Sequence, residues 1–377
     1  MMQRAAWAEV NTKGIAYNLG VIRSQLKDNV KVCAVVKADA YGHGLVGFVR
    51  ELARQGFADM AAVGKFREMM QLSTECGVDK LEILLLGVAT PEEIAMAVDC
   101  GRIIPRRSIF SIYNIAMLRA LDKVAETAKV TLRVHIRIDG WNSGMGLSME
   151  EFKEHEEEIF NMKHLEVCGL YSHLYTAYSD DREEVEGELK RFDSFVNSIP
   201  QGYRRRLTVH ILNSALIFHF PEYSYDMVRA GTSMYGLPCG DNGRLVPIMR
   251  ICAQIFDVRD VPDSVPLSYL QTGEATDGGK RRIARIMLGY WDSPLLLTQE
   301  NIRISIRGKL YAPADEVCMD NLCVDITGAD DIEVGDIAYL MGENGVTINE
   351  ILERNRIDYV HSEWMCLTAG RLEKVYL

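Results

Sequence analysis

Before about residue 240, short apolar runs alternate with longer stretches of helical spacing, and this alternation limits the fold more than any other feature. The eight runs are Lys31–Val36, Asp59–Val63, Glu82–Leu86, Arg102–Pro105, Val130–Ile138, Leu165–Leu170, Leu207–Leu212 and Asp226–Val228. Strand and helix in turn is the pattern of parallel βα units, whose strands are covered on both faces and therefore read as nearly continuous apolar runs. Eight units fit a closed (β/α)8 TIM barrel better than an open doubly wound sheet.

From Gly240 the texture changes. Strand-like runs such as Ile251–Val258 and Ile302–Ile306, with turn signals at Asp277-Gly278-Gly279 and Glu343-Asn344-Gly345, precede a short helical period at Ile348–Glu353. This reads as a second, mostly β domain joined through the Gly/Pro/Asp/Asn-bearing stretch Pro238 to Gly243. A further short strand is expected at Ala6–Val10. The 377 residues, 48% of them hydrophobic, are sufficient for two such units.

Charge narrows the function. Lys and Arg total 42 against 53 Asp and Glu, a net charge of −11, which argues against binding a nucleic-acid backbone or an anionic membrane surface and leaves small-molecule chemistry. The longest apolar run, Ile83–Leu86 with Gly87, Val88 and Ala89 behind it, falls far short of the ~20 residues that span a bilayer. The N-terminus has no apolar signal core, so a cytoplasmic location is expected. Nine cysteines without a CxxC pair are expected to be reduced and mostly buried, and no compact metal-ligand spacing is present.

In a barrel, chemistry gathers where strands end, and those positions are polar here. The first run leads into Lys37-Ala38-Asp39-Ala40-Tyr41-Gly42-His43-Gly44. Burial against Val32–Val36 would favour the neutral amine of Lys37, the form that attacks a carbonyl; the alternative is a lysine paired with Asp39. His135, Arg137 and Asp139 alternate with Ile136 and Ile138, so one strand face carries all three and is expected to pair its charges. After the last two runs, Ser214, Gly231 and Thr232 suit a phosphate site of backbone N–H groups and hydroxyls, or else an ordinary cap and turn. A lysine, a phosphate cradle and the nearby Arg229 are together what a phosphorylated aldehyde cofactor requires.

At these residues the chain resembles the alanine racemase family. The run Val36 to Gly44 is similar to the family's cofactor-lysine signature. Further matching landmarks are Gly169-Leu170-Tyr171-Ser172-His173, His210 with Asn213-Ser214-Ala215, Val228-Arg229-Ala230-Gly231, Leu267-Ser268-Tyr269, Gly289-Tyr290 with Asp292, and Val317-Cys318-Met319-Asp320. The resemblance implies a pyridoxal 5'-phosphate enzyme with a barrel over 11–240. It assigns 1–10 and 241–377 to a β domain that reaches the partner subunit's site in a homodimer. It implies that Lys37 binds the cofactor covalently, that Tyr41, Ser214, Gly231 and Thr232 hold its phosphate, and that Arg229 faces its pyridine nitrogen with His173 beside it. Lys37 and, from the other subunit, Tyr269 are then the two bases that racemise a small amino acid, alanine first and serine second. Tyr290 and Met319 are implied to shape the substrate pocket, and His173, held by Arg229, to tune Tyr269. Alternatives are another reaction of the same cofactor, such as decarboxylation or epimerisation, and a cofactor-binding protein without catalysis.

One segment departs from that pattern. The family has a lysine, often carbamylated, then Asp-Thr-Gly-Met and an arginine two residues on; this chain has Arg137-Ile138-Asp139-Gly140-Trp141-Asn142-Ser143-Gly144-Met145-Gly146-Leu147. Arg137 takes the lysine position, and Gly144 or Leu147 that of the arginine. Arg137 is therefore expected to bind substrate in place of both, with a changed substrate or reaction as the competing reading. Gly370 stands where some members have a tyrosine.

Overall fold

The computed structural model describes residues 4–75, 81–140, 145–240, 243–268, 279–356 and 361–377. Its contacts divide the chain into two compact units. One comprises Ala16–Ala40 and Leu45–Val246; the other comprises Met1–Ile15, Tyr41–Gly44 and Pro247–Leu377. The division cuts the cofactor-lysine run itself, between Ala40 and Tyr41.

In chain order the strands are β1 (Ala6–Val10), β2 (Lys31–Val35), β3 (Met60–Val63), β4 (Glu82–Leu85), β5 (Ser108–Ile112), β6 (Leu132–Arg137), β7 (Leu165–Tyr171), β8 (Thr208–His210) and β9 (Met227–Ala230). Strands β2 to β9 form one parallel sheet in the order β8-β7-β6-β5-β4-β3-β2-β9, the (β/α)8 barrel. Strands β3 and β5 are buried at every residue, as expected of strands enclosed on both faces. The seam between β8 and β9 is closed by fewer bonds. Asp226 N–H donates to the Val209 carbonyl (3.1 Å), Arg229 N–H to the Leu212 carbonyl (3.0 Å), and the Asp226 carboxylate accepts Val209 N–H (2.8 Å).

One strand differs from the sequence reading. Arg102–Pro105 is not a strand; the fourth barrel strand is β5, three residues later, with sequence SIFSI. Arg102 N–H still donates back to Ala97 at the end of the preceding helix, and Pro105 has no N–H to give a ladder. Helices between strands are capped as their sequences dictate. Pro91–Asp99 begins with a capping box between Thr90 and Glu93, and Arg182–Asn197 begins at Asp181, which accepts two N–H bonds.

The other unit adds β10 (Met249–Pro262), β11 (Lys280–Ile286), β12 (Ile304–Ile306), β13 (Lys309–Tyr311), β14 (Leu322–Asp325), β15 (Ile337–Met341) and β16 (Glu373–Tyr376). Strand β1 lies between β10 and β16, antiparallel to the first and parallel to the second. The long β10 is irregular between Ile255 and Asp257. Its first half pairs with β1 and β15, its second with β11, which in turn pairs with β14. A bulge of this kind lets one strand serve two sheets. Among the described residues, Cys33, Cys168, Cys239, Cys252 and Cys323 are buried. No helix among the described residues is long and apolar enough to cross a membrane.

Candidate active site

Lys37 follows β2 on a turn with unusual backbone. Ala38, Asp39 and Ala40 have φ/ψ of 54/55°, 56/42° and 54/50°, and Tyr41 continues with φ 53°. Four successive non-glycine residues thus form one turn of left-handed helix, at a cost of roughly 1–2 kcal/mol each from Cβ crowding. Hydrogen bonds hold the turn. Ala40 N–H donates to the Val36 carbonyl (2.9 Å), the Asp39 carboxylate accepts Leu45 N–H (2.8 Å), and Glu68 Oε1 accepts Ala38 N–H (2.7 Å). Glu68 Oε2 accepts Gly64 N–H and Lys65 N–H at 2.9 and 3.0 Å, tying the turn to the end of β3. Lys37 itself is exposed and forms no ion pair among the described residues. Neither the expected apolar burial nor the alternative pair with Asp39 is formed.

Arg229, at the end of β9, is buried and fully directed. Nη1 donates to His210 Nδ1 (2.8 Å) and the His210 carbonyl (3.2 Å); Nη2 donates to the carbonyls of Ser172 (2.8 Å) and Ile211 (3.2 Å). Nε–H has no acceptor among the described residues, so it is the donor left for a ligand. Burial pulls the guanidinium down to about 10, which still leaves it charged at neutral pH. His173, expected to be held by Arg229, makes no hydrogen bond among the described residues. Its ring stands edge-on to Tyr175 at 6.1 Å. Desolvation of the ring, then the positive charges of Arg229, Arg137 and Lys37, lower its pKa.

The charges expected to pair along β6 do not pair with one another. His135 contacts His210 Nε2 at 3.0 Å, and Asp139 accepts Met145 N–H at 3.3 Å. Arg137 lies over two aromatic faces, 5.3 Å from the Tyr113 ring centre and 6.0 Å from that of Tyr171. Its Nη1 is 3.5 Å from the Tyr113 hydroxyl, and its buried Nε has no partner among the described residues. This guanidinium has no carboxylate beside it among the described residues. Tyr171 completes the wall by donating to Ser111 Oγ (2.8 Å) and stacking on His210 at 4.9 Å.

Ser214, after β8, gathers donors from the loop after β9. Its buried Oγ accepts Gly231 N–H (2.8 Å) and Ser233 N–H (3.2 Å) and bonds the Ser233 hydroxyl (2.9 Å). Thr232 Oγ1 is buried without a well-aligned hydrogen bond, with the Tyr178 hydroxyl as neighbour. Converging N–H and O–H groups of this kind suit a phosphate.

In the second unit, Tyr290 and Met319 are brought together by their backbones. Tyr290 N–H donates to the Cys318 carbonyl (3.1 Å) and Trp291 N–H to the Met319 carbonyl (3.2 Å). Gly289 allows this approach, since a Cβ there would lie 2.1 Å from the Met319 oxygen. Buried Asp292 accepts Gly289 N–H (2.9 Å) and Arg371 Nε–H (2.9 Å), while Arg371 also reaches Asp320. Met319 is exposed and Tyr290 half-buried. Tyr41 is buried, and its carbonyl lies 3.0 Å from His43 Nδ1. Tyr269 lies outside the described residues, as do Trp141 to Gly144; just before Tyr269, the N–H groups of Leu267 and Ser268 both donate to Asp315 at 3.1 Å.

Residues 10–238 match the alanine racemase N-terminal domain, and residues 248–376 match the alanine racemase C-terminal domain. The chain belongs to the alanine racemase family. It is 29% identical to the alanine racemase of Methanococcus maripaludis over the whole of both chains. The alanine racemase 2 of Caldanaerobacter subterraneus subsp. tengcongensis is 28% identical, covering 99% of this chain and 95% of its own. Among solved structures, the alanine racemase of Clostridium difficile 630 superposes with a TM-score of 0.88 at 27% identity, covering all of this chain and 97% of that one.

Alanine racemases depend on pyridoxal 5'-phosphate, and the barrel residues fit that group. Arg229 has a spare Nε–H for a pyridine nitrogen, the Ser214 and Thr232 hydroxyls can donate to a phosphate beside the Gly231 backbone, and Lys37 is exposed. Sequence reasoning missed Glu68, Tyr113 and Arg371. Glu68 had a readable signal, an acidic residue in the first turn of the helix Phe66–Glu75, four residues after Gly64.

Proposed function

We propose that this chain racemises a small amino acid, with alanine the first expected substrate and serine the second. The observation that carries this reading is the set of groups at the C-terminal ends of the barrel strands: an exposed Lys37 amine, Arg229 with one uncommitted N–H, and Arg137 with no carboxylate beside it among the described residues. Bound pyridoxal phosphate supplies an electron sink that acidifies the α-hydrogen of an attached amino acid.

The chain's own residues do the rest. Lys37 anchors the cofactor and exchanges the α-proton on one face. Tyr269, from a second copy of the chain, exchanges it on the other, so the working form is a homodimer with shared sites. Tyr41, Ser214, Gly231 and Thr232 would hold the phosphate, with His173 among the cofactor-binding residues. Arg229 Nε–H would donate to the pyridine nitrogen and, as a guanidinium, would not release that proton to it. Arg137 binds the substrate carboxylate, for which it offers an unpartnered Nε–H beside its Nη groups. Tyr290 and Met319 bound the space for the side chain, and the reaction runs in the cytoplasm.

The test is purified protein supplied with cofactor and a panel of L- and D-amino acids, followed for optical rotation and carbon dioxide. Loss of rotation from either alanine enantiomer is expected. Release of carbon dioxide, or unchanged rotation for every amino acid, overturns the proposal.

A further inference from the structure

Behind Arg229, two buried histidines extend its hydrogen bonding into the barrel wall. Arg229 Nη1 donates to His210 Nδ1 at 2.8 Å, and His210 Nε2 lies 3.0 Å from His135 Nδ1. A guanidinium has no acceptor, so the first bond requires a lone pair on His210 Nδ1. Both rings are neutral. Burial first, then the cations Arg133, Lys31 and Arg229, push His135 down to about 3. Burial, Arg229 and His135 hold His210 well below its ordinary value. A neutral imidazole carries one N–H, so that of His210 is on Nε2 and His135 Nδ1 accepts it. The opposite His135 tautomer would set two N–H groups against each other across 3.0 Å.

The packing holds both rings in this alignment. Tyr171 stacks on His210 with only 2° between the ring planes. His135 occupies the space over Gly169, where a Cβ would lie 2.3 Å from Nε2.

We infer that His135 is a positioning residue: its Nδ1 lone pair selects the His210 tautomer that receives Arg229, and so keeps Arg229 Nε–H available to the cofactor. Without that lone pair, the buried His210 N–H has no acceptor. Moving its proton to Nδ1 would point an N–H at the guanidinium and drive Arg229 out of line. The consequence for catalysis rests on the racemase reading; the tautomer is a property of the protein alone.

The experiment combines nitrogen-resolved NMR of the apoprotein imidazoles between pH 5 and 9 with the variants His135→Asn, which keeps an acceptor near the Nδ1 position, and His135→Phe, which does not. In the unaltered protein and in His135→Asn, His210 is expected to stay neutral with its proton on Nε2. In His135→Phe the proton moves to Nδ1, the absorbance maximum of the bound cofactor shifts, and kcat falls on the order of 10²-fold with little change in KM. His135→Asn restores most of the loss. The inference is overturned if His210 in the unaltered protein carries its proton on Nδ1 or titrates in that range, a result that needs no variant to fold. It is also overturned if His135→Phe leaves tautomer and absorbance unchanged, or if His135→Asn is as damaging as Phe. A chain with the expected tautomers but no racemase activity would defeat the proposed function and leave this inference standing.

Discussion

Arg137 and Thr232 each carry a polar group without a good partner among the described residues: Arg137 Nε, and the buried Thr232 hydroxyl. A buried polar group without a bond costs about 1–3 kcal/mol, so each weakens the protein unless a ligand satisfies it. Thr232→Val keeps the shape and removes the hydroxyl. The apoprotein is expected to gain about 1 kcal/mol in denaturant melts, while the cofactor dissociation constant rises roughly tenfold, read by absorbance titration. Arg137→Ala removes the carboxylate contact, worth about 1.5–3 kcal/mol, so KM rises roughly 10- to 100-fold with a smaller change in kcat. Substrate affinity and turnover that match the unaltered enzyme would show that Arg137 does not bind the carboxylate. These two roles differ in how far residue type alone revealed them. The Arg137 cation was legible because it breaks a pattern; that its neighbours are Tyr113 and Tyr171 rather than Asp139 was not, since those contacts join separate strands.

At the level of elements, the left-handed turn after β2 is the most strained segment described, and Glu68 is its main restraint. Glu68→Ala leaves three backbone N–H groups without their carboxylate and is expected to cost about 2 kcal/mol in thermal or denaturant unfolding. It should also slow covalent capture of the cofactor, measured by borohydride trapping of Lys37. Ala38→Gly removes the Cβ penalty but adds unfolded-chain freedom, so its stability change should stay within about 1 kcal/mol, unlike a glycine placed in an ordinary helix. The sequence shows where this turn is, through the KADAYGHG run, but not its hand. A left-handed turn of four non-glycine residues contradicts local preference and persists because Glu68 accepts the Ala38 N–H, the Val36 carbonyl accepts the Ala40 N–H, and Asp39 fixes the chain beyond it through Leu45 N–H. Gly289→Ala is expected to be disruptive for a simpler reason: its new methyl would meet the Met319 carbonyl, as a lowered melting temperature would report.

For the whole molecule, the buried neutral histidines set the acid limit of stability. His135 titrates at about 3 in the folded chain against an ordinary value near 6.5. Between those values the unfolded chain binds a proton that the folded chain refuses, so stability falls as pH drops from about 6.5 towards 3 and is insensitive to this group above that window. His210 adds in the same direction. Melting temperature measured across this window should decline steeply, and His135→Asn should flatten the decline. The sequence by itself determined the class of each half of the chain, because a strand's surroundings are written in its own apolar periodicity: continuous runs for the barrel, alternation for the β domain. It also placed the lysine run, the Ser214 and Gly231-Thr232 segments and Arg229 at strand ends, since each is a contiguous motif. Only the tertiary structure decided that β5 follows Pro105 instead of preceding it, that Lys37 is exposed, and that His135, His210 and Arg229 form one directed line. Those features depend on which side chains meet across strands far apart in the chain, and no local pattern encodes a hydrogen bond between residues 75 positions apart.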